Sequence, residues 1–167
     1  MVGRRPFLAL LAVVVVGLVA WRLFVPSEER RIRKTFDRAS QLLAKNGPEP
    51  VFAAAAKARD LAALVAPNAH LDIPERNLDF RLNGDGLSRQ IALVRSQTQF
   101  IRVTFEDIAI VFSDDDTALV SADVFFKGTS DLMGFSGSDA RELAATLTRA
   151  GGDWRFAAIT LKPIVEK

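Results

Sequence analysis

Hydrophobic residues follow two different patterns along the chain. Residues 6–21 form an uncharged run of 16 residues, preceded by Arg4 and Arg5, whose body reads FLALLAVVVVGLVAW. Extended through Val25 the segment has 20 residues, which as a helix spans about 30 Å and is enough to cross a bilayer. We therefore expect a cytoplasmic tail at residues 1–5, a transmembrane anchor at 6–25 and one folded domain at 27–167.

The alternative to an uncleaved anchor is a cleaved signal peptide, which also begins with basic residues and an apolar stretch. No small-x-small cleavage pattern follows the run, since the next residues are Trp21, Arg22 and Leu23. A buried helix of a globular domain is the third interpretation, and four consecutive valines in a charge-free stretch disfavour it. Basic residues after the span favour a cytoplasmic domain, whereas the short tail before it favours a domain outside the cytoplasm. We expect a single-pass protein of the bacterial inner membrane with a periplasmic domain.

Beyond residue 26 the apolar residues first recur at helical spacing. This pattern predicts helices from Ser27 to Lys45, from Pro50 to Ala66 and over 86–98, with proline and glycine ending the first two. Residues 69–82 predict two short strands around Pro74. The first part of the domain is therefore mainly helical.

From residue 99 onward the apolar residues alternate, which predicts four strands, at 99–112, 118–126, 143–147 and 154–160. The phase of alternation reverses between Phe105 and Ile108, as it does at a β-bulge that bends a sheet. A loop is expected at 128–139 and a tight hairpin at 151–153. Helices followed by a bent meander predict an α+β domain, with the helices packed on one face of an antiparallel sheet.

Charge and composition exclude several kinds of binding site and catalytic chemistry. The chain has 22 basic and 20 acidic residues, but its first 26 residues hold three basic and no acidic ones. The remaining 141 residues therefore carry a net charge of −1, which gives no support for nucleic-acid binding. Zero cysteines exclude disulfides, thiol nucleophiles and zinc ribbons. With a single histidine we expect no metal site and no cofactor.

The helix pair before the strands, the third helix at 86–98 and the closing hairpin carry a resemblance to a known superfamily. The hairpin reads ELAATLTRAGGDWRFAAITLKP at 142–163, with Trp154 just after the turn. In these features residues 28–164 resemble the nuclear-transport-factor-2-like superfamily, whose members fold as a cone of helices over a curved sheet. The resemblance implies a pocket at the mouth of the cone. The apolar residues expected to line it are Phe36, Phe52, Leu71, Val124, Phe126 and Trp154.

That superfamily includes isomerases, dehydratases, cyclases and non-catalytic members, so the resemblance alone does not choose a function. The steroid-isomerase branch uses a phenolic donor, and this chain has no tyrosine. The dehydratase branch uses a His–Asp pair, for which the candidates are His70 with Asp72 or with Asp123. Residues 70 and 72 of a strand share a face, so the first pair is geometrically allowed. The alternative for His70 is an exposed position at a strand edge.

Two groups of residues are candidates for contact with a partner or a membrane. Arg30, Arg31, Arg33 and Lys34 follow the predicted span closely and either bind anionic lipid headgroups or form a solvated helix face. Leu132, Met133 and Phe135 lie in an otherwise polar loop and either tuck over the mouth of the cone or meet another protein.

Together these observations predict a membrane-anchored, periplasmic binding or assembly module without catalytic activity. Its expected partners are the inner membrane, another envelope protein and an apolar small ligand, and not a nucleic acid. The alternative is a membrane-tethered small-molecule-binding protein, or a lyase or isomerase, that uses the cone's pocket.

Overall fold

The computed structural model describes residues 28–82, 84–130 and 135–164. Its three helices are α1 (28–43), α2 (Val51–Ala63) and α3 (Gly84–Ser96), and a short 3-10 helix spans Pro74–Arg76. The strands are β1 (Lys45–Asn46), β2 (Val65–Ile73), β3 (Leu78–Leu82), β4 (Thr98–Asp114), β5 (Thr117–Ser130), β6 (Phe135–Ala150) and β7 (Asp153–Pro163). The predicted tail and anchor lie outside these residues. Of the helices described, none is long and apolar enough to cross a membrane.

All seven strands join one sheet in the order β1-β4-β5-β6-β7-β2-β3. Neighbouring strands are antiparallel except β2 and β7, which pair in parallel. The predicted α+β class is confirmed, but the sheet is mixed rather than antiparallel throughout. The parallel pair arises from the order of the strands along the chain. Strand β2 precedes the β4–β7 meander in the sequence, and the last strand of the meander, β7, lies beside β2 and runs in the same direction.

The bulge predicted from the change of phase is present in β4. The pairing of β4 with β5 shifts between Glu106 and Ala109, and Asp107 adopts a left-handed conformation with φ 49°. Because of this insertion, Phe105 and Ile108 both contact the core. The bulge therefore lets one long strand keep its apolar side chains on one face while it bends.

Several predicted boundaries are wrong by a few residues. The first helix ends at 43 instead of Lys45, because Lys45 pairs with Ile101 in the sheet. The second ends at Ala63, because Val65 already belongs to β2. Pro67 lies inside β2, at a shift in its pairing with β7 where a missing N–H donor interrupts no ladder.

The loop predicted at 128–139 is mostly strand. Here β5 continues to Ser130 and β6 begins at Phe135, with Gly128 opposite Gly137. A Cβ on Gly128 would lie 2.9 Å from the backbone oxygen of Phe100, so glycine is needed for this approach of β5 to β4. Polar composition alone had indicated a loop, yet the backbone of these residues pairs across two neighbouring strands.

One face of the sheet, called here the inner face, packs on α1. Helix α1 buries Ile32, Phe36 and Ala39 against it, and these positions are spaced four and three residues apart as a helical stripe requires. The strands contribute a second set of buried residues: Val103, Ala118, Val120, Ala122, Val124, Leu143, Ala145, Leu147, Trp154 and Phe156. The opposite, outer face of the sheet carries the intervening residues.

Candidate functional site

A groove runs between α1 and the turn that joins β6 to β7. Its volume is about 410 Å³, within the size range of small-ligand pockets. We call it the basic groove, and it is lined by Arg31, Lys34, Thr35, Arg38, Ala63, Leu64, Gly152, Asp153, Trp154 and Arg155.

The basic groove has four cationic side chains against one carboxylate, that of Asp153. Two of the cations are partly neutralised: Arg31 lies 3.3 Å from a Glu28 oxygen, and Arg38 lies 3.9 Å from an Asp60 oxygen. Lys34 and Arg155 form no ion pair with any carboxylate in the described part of the chain. The groove therefore presents positive charge to a ligand.

Trp154 anchors one wall of the groove. Its ring is buried, and its indole N–H donates to Glu28 Oε2 at 2.7 Å. Arg149 lies over the same ring, with its guanidinium carbon 6.0 Å from the centroid. A hydrogen bond to Asp116 raises the pKa of Arg149. These contacts fix the hairpin against the start of α1, so that the wall of the groove is preformed.

The sequence analysis identified two of the four cationic residues that line the basic groove. Arg31 and Lys34 were candidates, and Arg38 was missed although it continues their face of α1 at the i, i+3, i+7 spacing. Arg155 was missed because only the folded sheet brings β7 beside α1. Arg30 is exposed but does not line the groove, and Arg33 donates instead to the backbone oxygen of Ile108 at 2.9 Å.

The predicted catalytic pairs are not brought together. His70 lies on β2 and its Nδ1 is 3.3 Å from an Asp79 oxygen on β3. Asp72 is opposite Asp79, two residues along the strand. Asp123 lies on β5, and β6 and β7 separate that strand from β2.

The side chains of the three predicted catalytic residues, His70, Asp72 and Asp123, point away from α1. Ala69 and Leu71 flank His70 and face inward, and His70 aligns with Ala158 on the outer side of β7. The side chains of His70 and Asp79 are 44% and 70% exposed, so water surrounds this pair. Proton transfer in a shielded pocket needs a different arrangement.

The six residues expected to line a pocket differ in how deeply they are buried. Phe36, Val124 and Trp154 are all buried in the hydrophobic core. Leu71 is half-buried on the inner face, and Phe126 packs at the core's edge. Phe52 is 91% exposed on α2, because the apolar side of that helix is set by its contact with α3 rather than by its largest side chain.

The loop residues proposed for partner contact are only partly described. Leu132 and Met133 lie outside the described residues, and for Phe135 the backbone position at the start of β6 is described. Their role as a contact stays a prediction.

A second, smaller cleft of about 200 Å³ lies where the end of α1, α2, α3 and β4 meet. Its lining is mainly apolar and includes Leu43, Leu61, Ile91, Val94 and Ile101. This cleft is an apolar opening between the helices and the sheet in the described part of the chain, and none of the six residues predicted to line a pocket lies in it.

Arg95 forms the polar wall of this cleft and was missed by sequence reasoning. Its guanidinium donates to the backbone oxygens of three residues at the end of α1, Leu42, Leu43 and Ala44, and to the carboxylate of Glu49. Burial raises the pKa of Glu49, but hydrogen bonds from Lys57 and Arg95 outweigh burial and leave that pKa below its ordinary value. Because these donors are occupied within the fold, Arg95 serves to cap α1.

The sequence matches no known protein family and no curated protein. Its fold, however, is shared with many solved structures. A nuclear-transport-factor-2-like protein with a cystatin-like fold from Novosphingobium aromaticivorans aligns with a TM-score of 0.64 at 14% identity, over 89% of this chain and 90% of that one. The chain has the nuclear-transport-factor-2-like cone fold.

Two further structures agree with this cone fold. A protein from Kribbella flavida aligns with a TM-score of 0.67 at 10% identity, over 86% of this chain and 95% of that one. A protein from N. aromaticivorans, provisionally named a scytalone dehydratase, aligns with a TM-score of 0.60 at 15% identity, over 92% and 99% of the two chains. At such identities the likeness concerns the fold, and the site must be argued from this chain's own residues.

Proposed function

We propose that this protein is a membrane-tethered, non-catalytic binding module whose cone domain takes up an anionic headgroup in the basic groove. The observation that carries the proposal is the excess of cationic side chains lining the groove, of which Lys34 and Arg155 have no carboxylate partner among the described residues. A phosphate group is the natural counter-ion for such a set, because guanidinium and ammonium groups bind its oxygens by charge-assisted hydrogen bonds.

The position of the groove supports a lipid as the source of that phosphate. The described part of helix α1 starts at residue 28, close to residue 25, where the predicted membrane span ends. Arg31 and Lys34 therefore lie within the first two turns after the span. Basic side chains this close to a bilayer gain about 1 kcal/mol each from anionic lipids. A periplasmic location of the domain remains part of the proposal.

The test uses the full chain in a neutral detergent, titrated with short-chain phosphatidylglycerol or with phosphatidylcholine of the same chain length. We expect phosphatidylglycerol to bind at least tenfold more tightly by native mass spectrometry. Lys34→Glu and Arg155→Glu should each weaken it about fivefold or more, as expected for about 1 kcal/mol per charge. Arg59→Glu is the matched control, since Arg59 is exposed on α2 and does not line the groove.

Equal affinity for the two lipids would contradict the proposal. So would undiminished phosphatidylglycerol binding by both Lys34→Glu and Arg155→Glu. Inorganic phosphate, added in competition, separates a site for the headgroup alone from one that also needs the glycerol and acyl portions.

A second candidate function is the binding of a small apolar ligand, which the cleft between the helices and β4 favours. Five apolar side chains line it. Leu61→Trp should fill the cleft, whereas Leu93→Trp, on an exposed position of α3 outside it, should not. Loss of a co-purifying apolar compound in the first variant and its retention in the second would support this function.

A further inference from the structure

A depression on the outer face of the sheet combines two cationic side chains with an exposed aromatic ring. Its volume is about 370 Å³, within the size range of small-ligand pockets. The residues that line it belong to β4, β5 and β6, and they include Arg102, Phe125 and Lys127. We call it the outer-face site. It shares no residue with the basic groove or with the apolar cleft.

The register of the sheet places three polar side chains of this site in one row. Arg102 on β4 is directly opposite Lys127 on β5, and Lys127 is directly opposite Ser138 on β6. The Cβ atoms of such cross-strand neighbours are about 5 Å apart. A guanidinium, an ammonium and a hydroxyl group can therefore reach the same bound anion.

The two cations of this row lack a neutralising partner. Like charges directly opposite each other on neighbouring strands destabilise a sheet, and neither Arg102 nor Lys127 forms an ion pair with the described residues. Among the described residues that line the site the one carboxylate is that of Asp139, which accepts a hydrogen bond of 2.9 Å from Arg141. The site therefore presents net positive charge, and a bound anion relieves the repulsion.

An apolar surface adjoins the two cations. Phe125 is 38% exposed and lies two residues from Lys127, about 7 Å along the strand. Its neighbours across the sheet are the smaller Thr104 and Ala140, which leave its ring open to a ligand. Aromatic rings pack on such a ring in offset-stacked or edge-to-face geometry. One or two fused rings bridge the distance between Phe125 and the cations.

Charges beyond the site favour one orientation of an anionic ligand. Glu106 and Asp123 are opposite each other on β4 and β5, on the far side of Phe125, and neither lines the site. They are four residues from Arg102 and Lys127, about 13 Å along the strands. Their carboxylates repel an anion at that end, so the anionic group of a ligand is directed toward the two cations.

We propose that the outer-face site binds an aromatic carboxylate. The carboxylate accepts charge-assisted hydrogen bonds from Arg102 and Lys127, and the ring packs on Phe125. Arg102 is restrained for this role, because its guanidinium carbon lies 5.8 Å from the centroid of the Phe100 ring. Less conformational freedom is then lost when the ligand binds.

The principal test is photolabelling of the full chain in neutral detergent with 4-benzoylbenzoate, an aromatic carboxylate that inserts into nearby C–H bonds on irradiation. We expect peptide mass spectrometry to find most of the label on residues that line the outer-face site. Arg102→Ala and Lys127→Ala should each lower this labelling at least fivefold. Lys162→Ala is the matched control and should leave it unchanged, since Lys162 is exposed on β7 and does not line the site.

Competition against the photolabel defines the class of ligand. 2-Naphthoate should displace the label. Naphthalene-2-carboxamide has the same shape without the charge, and decahydronaphthalene-2-carboxylate has the same charge without the planar rings. Each should compete at least fivefold more weakly than 2-naphthoate. Phe125→Ala should abolish the difference between the aromatic and the saturated acid, because it removes the ring on which the ligand packs.

Label concentrated in the basic groove or in the apolar cleft would overturn the proposal, as would labelling that survives both Arg102→Ala and Lys127→Ala. A second copy of the chain that covers the outer face would prevent labelling there and would also overturn it. Equal competition by the carboxamide would exclude recognition of the charge, and equal competition by the saturated acid would exclude an aromatic ligand. Lys34→Ala should not alter the labelling, so this proposal and the lipid proposal can fail separately.

Discussion

Phe36 and Phe52 show how the same residue type takes opposite roles in this chain. Phe36 is fully buried and meets the rings of Phe105 and Phe156 edge to face, with centroids 5.1 Å away in each case. Phe52 is 91% exposed. We expect Phe36→Ala to lower the free energy of unfolding by about 3–5 kcal/mol, because it leaves a cavity that close-packed neighbours cannot fill.

Phe52→Ala is the matched control and should change that free energy by less than about 0.5 kcal/mol. Urea denaturation of the full chain in neutral detergent, followed by circular dichroism, measures both. A negligible loss in Phe36→Ala would contradict the core position of Phe36, and a large loss in Phe52→Ala would contradict the exposed position of Phe52.

The face of the sheet on which His70 lies depends on a shift in the register of β2. The pairing of β2 with β7 shifts between Val65 and His70, and Asn68 adopts a left-handed conformation with φ 60° there. A shift by one residue turns every following side chain to the other face of a sheet. The sequence predicted that residues 70 and 72 share a face, but it could not decide which face. Their outward position, which does not suit catalysis in the pocket, was therefore not foreseeable.

The C-terminal end of α1 is capped by a residue from another helix. Its last carbonyls are capped by Arg95, which the fold brings from α3 together with Glu49 and Lys57. Neither a glycine nor a lysine of the helix itself performs this role. The stability of α1 therefore depends on an ion-pair cluster between three separate segments.

This cluster predicts a specific pH dependence. The pKa of Glu49 is below its unfolded value of 4.5, so its contribution to stability is complete above that value and is lost as the pH falls through the folded pKa. Glu49→Gln should cost about 3 kcal/mol at pH 7, because it leaves the buried Arg95 without its counter-charge. The variant should also lose less stability than wild type between pH 6 and pH 3.

Urea midpoints of both proteins at a series of pH values check this expectation. Glu29→Gln is the control, as Glu29 lies on α1 and forms no ion pair with the described residues. An unchanged acid dependence in Glu49→Gln would show that another group governs acid unfolding.

For the whole molecule, the membrane anchor remains a prediction from residues that precede the described fold. If residues 6–25 form an uncleaved span, the intact mass of protein purified from membranes should include residue 1 or 2. Alkaline carbonate should also fail to extract it, because a span of about 20 residues is held by the bilayer core. A mature N-terminus at or beyond residue 20 would instead show cleavage of a signal peptide.

The order of helices and strands was readable from the sequence because it depends on local periods. A stripe such as Ile32 and Phe36, or an alternation such as Val120 and Val124, is set within a few residues of chain. The same is true of the bulge in β4, which reverses the phase of alternation locally. Polar stretches were harder to interpret. Strands β5 and β6 continue to pair beyond Gly128 through backbone hydrogen bonds, which form whatever the side chains are.

What the sequence determined by itself was therefore the α+β class, most element positions, the exclusion of thiol and tyrosine chemistry and the expectation of an anchor. Only the tertiary structure decided that Arg155 joins Arg31 and Lys34 in one groove, that Arg95 caps α1, and that Asp123 lies on the outer face of the sheet. The physical reason is sequence separation. The groove and the cap each bring together side chains that are tens of residues apart in the sequence. Sheet order and register decide which of these side chains meet, and neither is encoded in a local period.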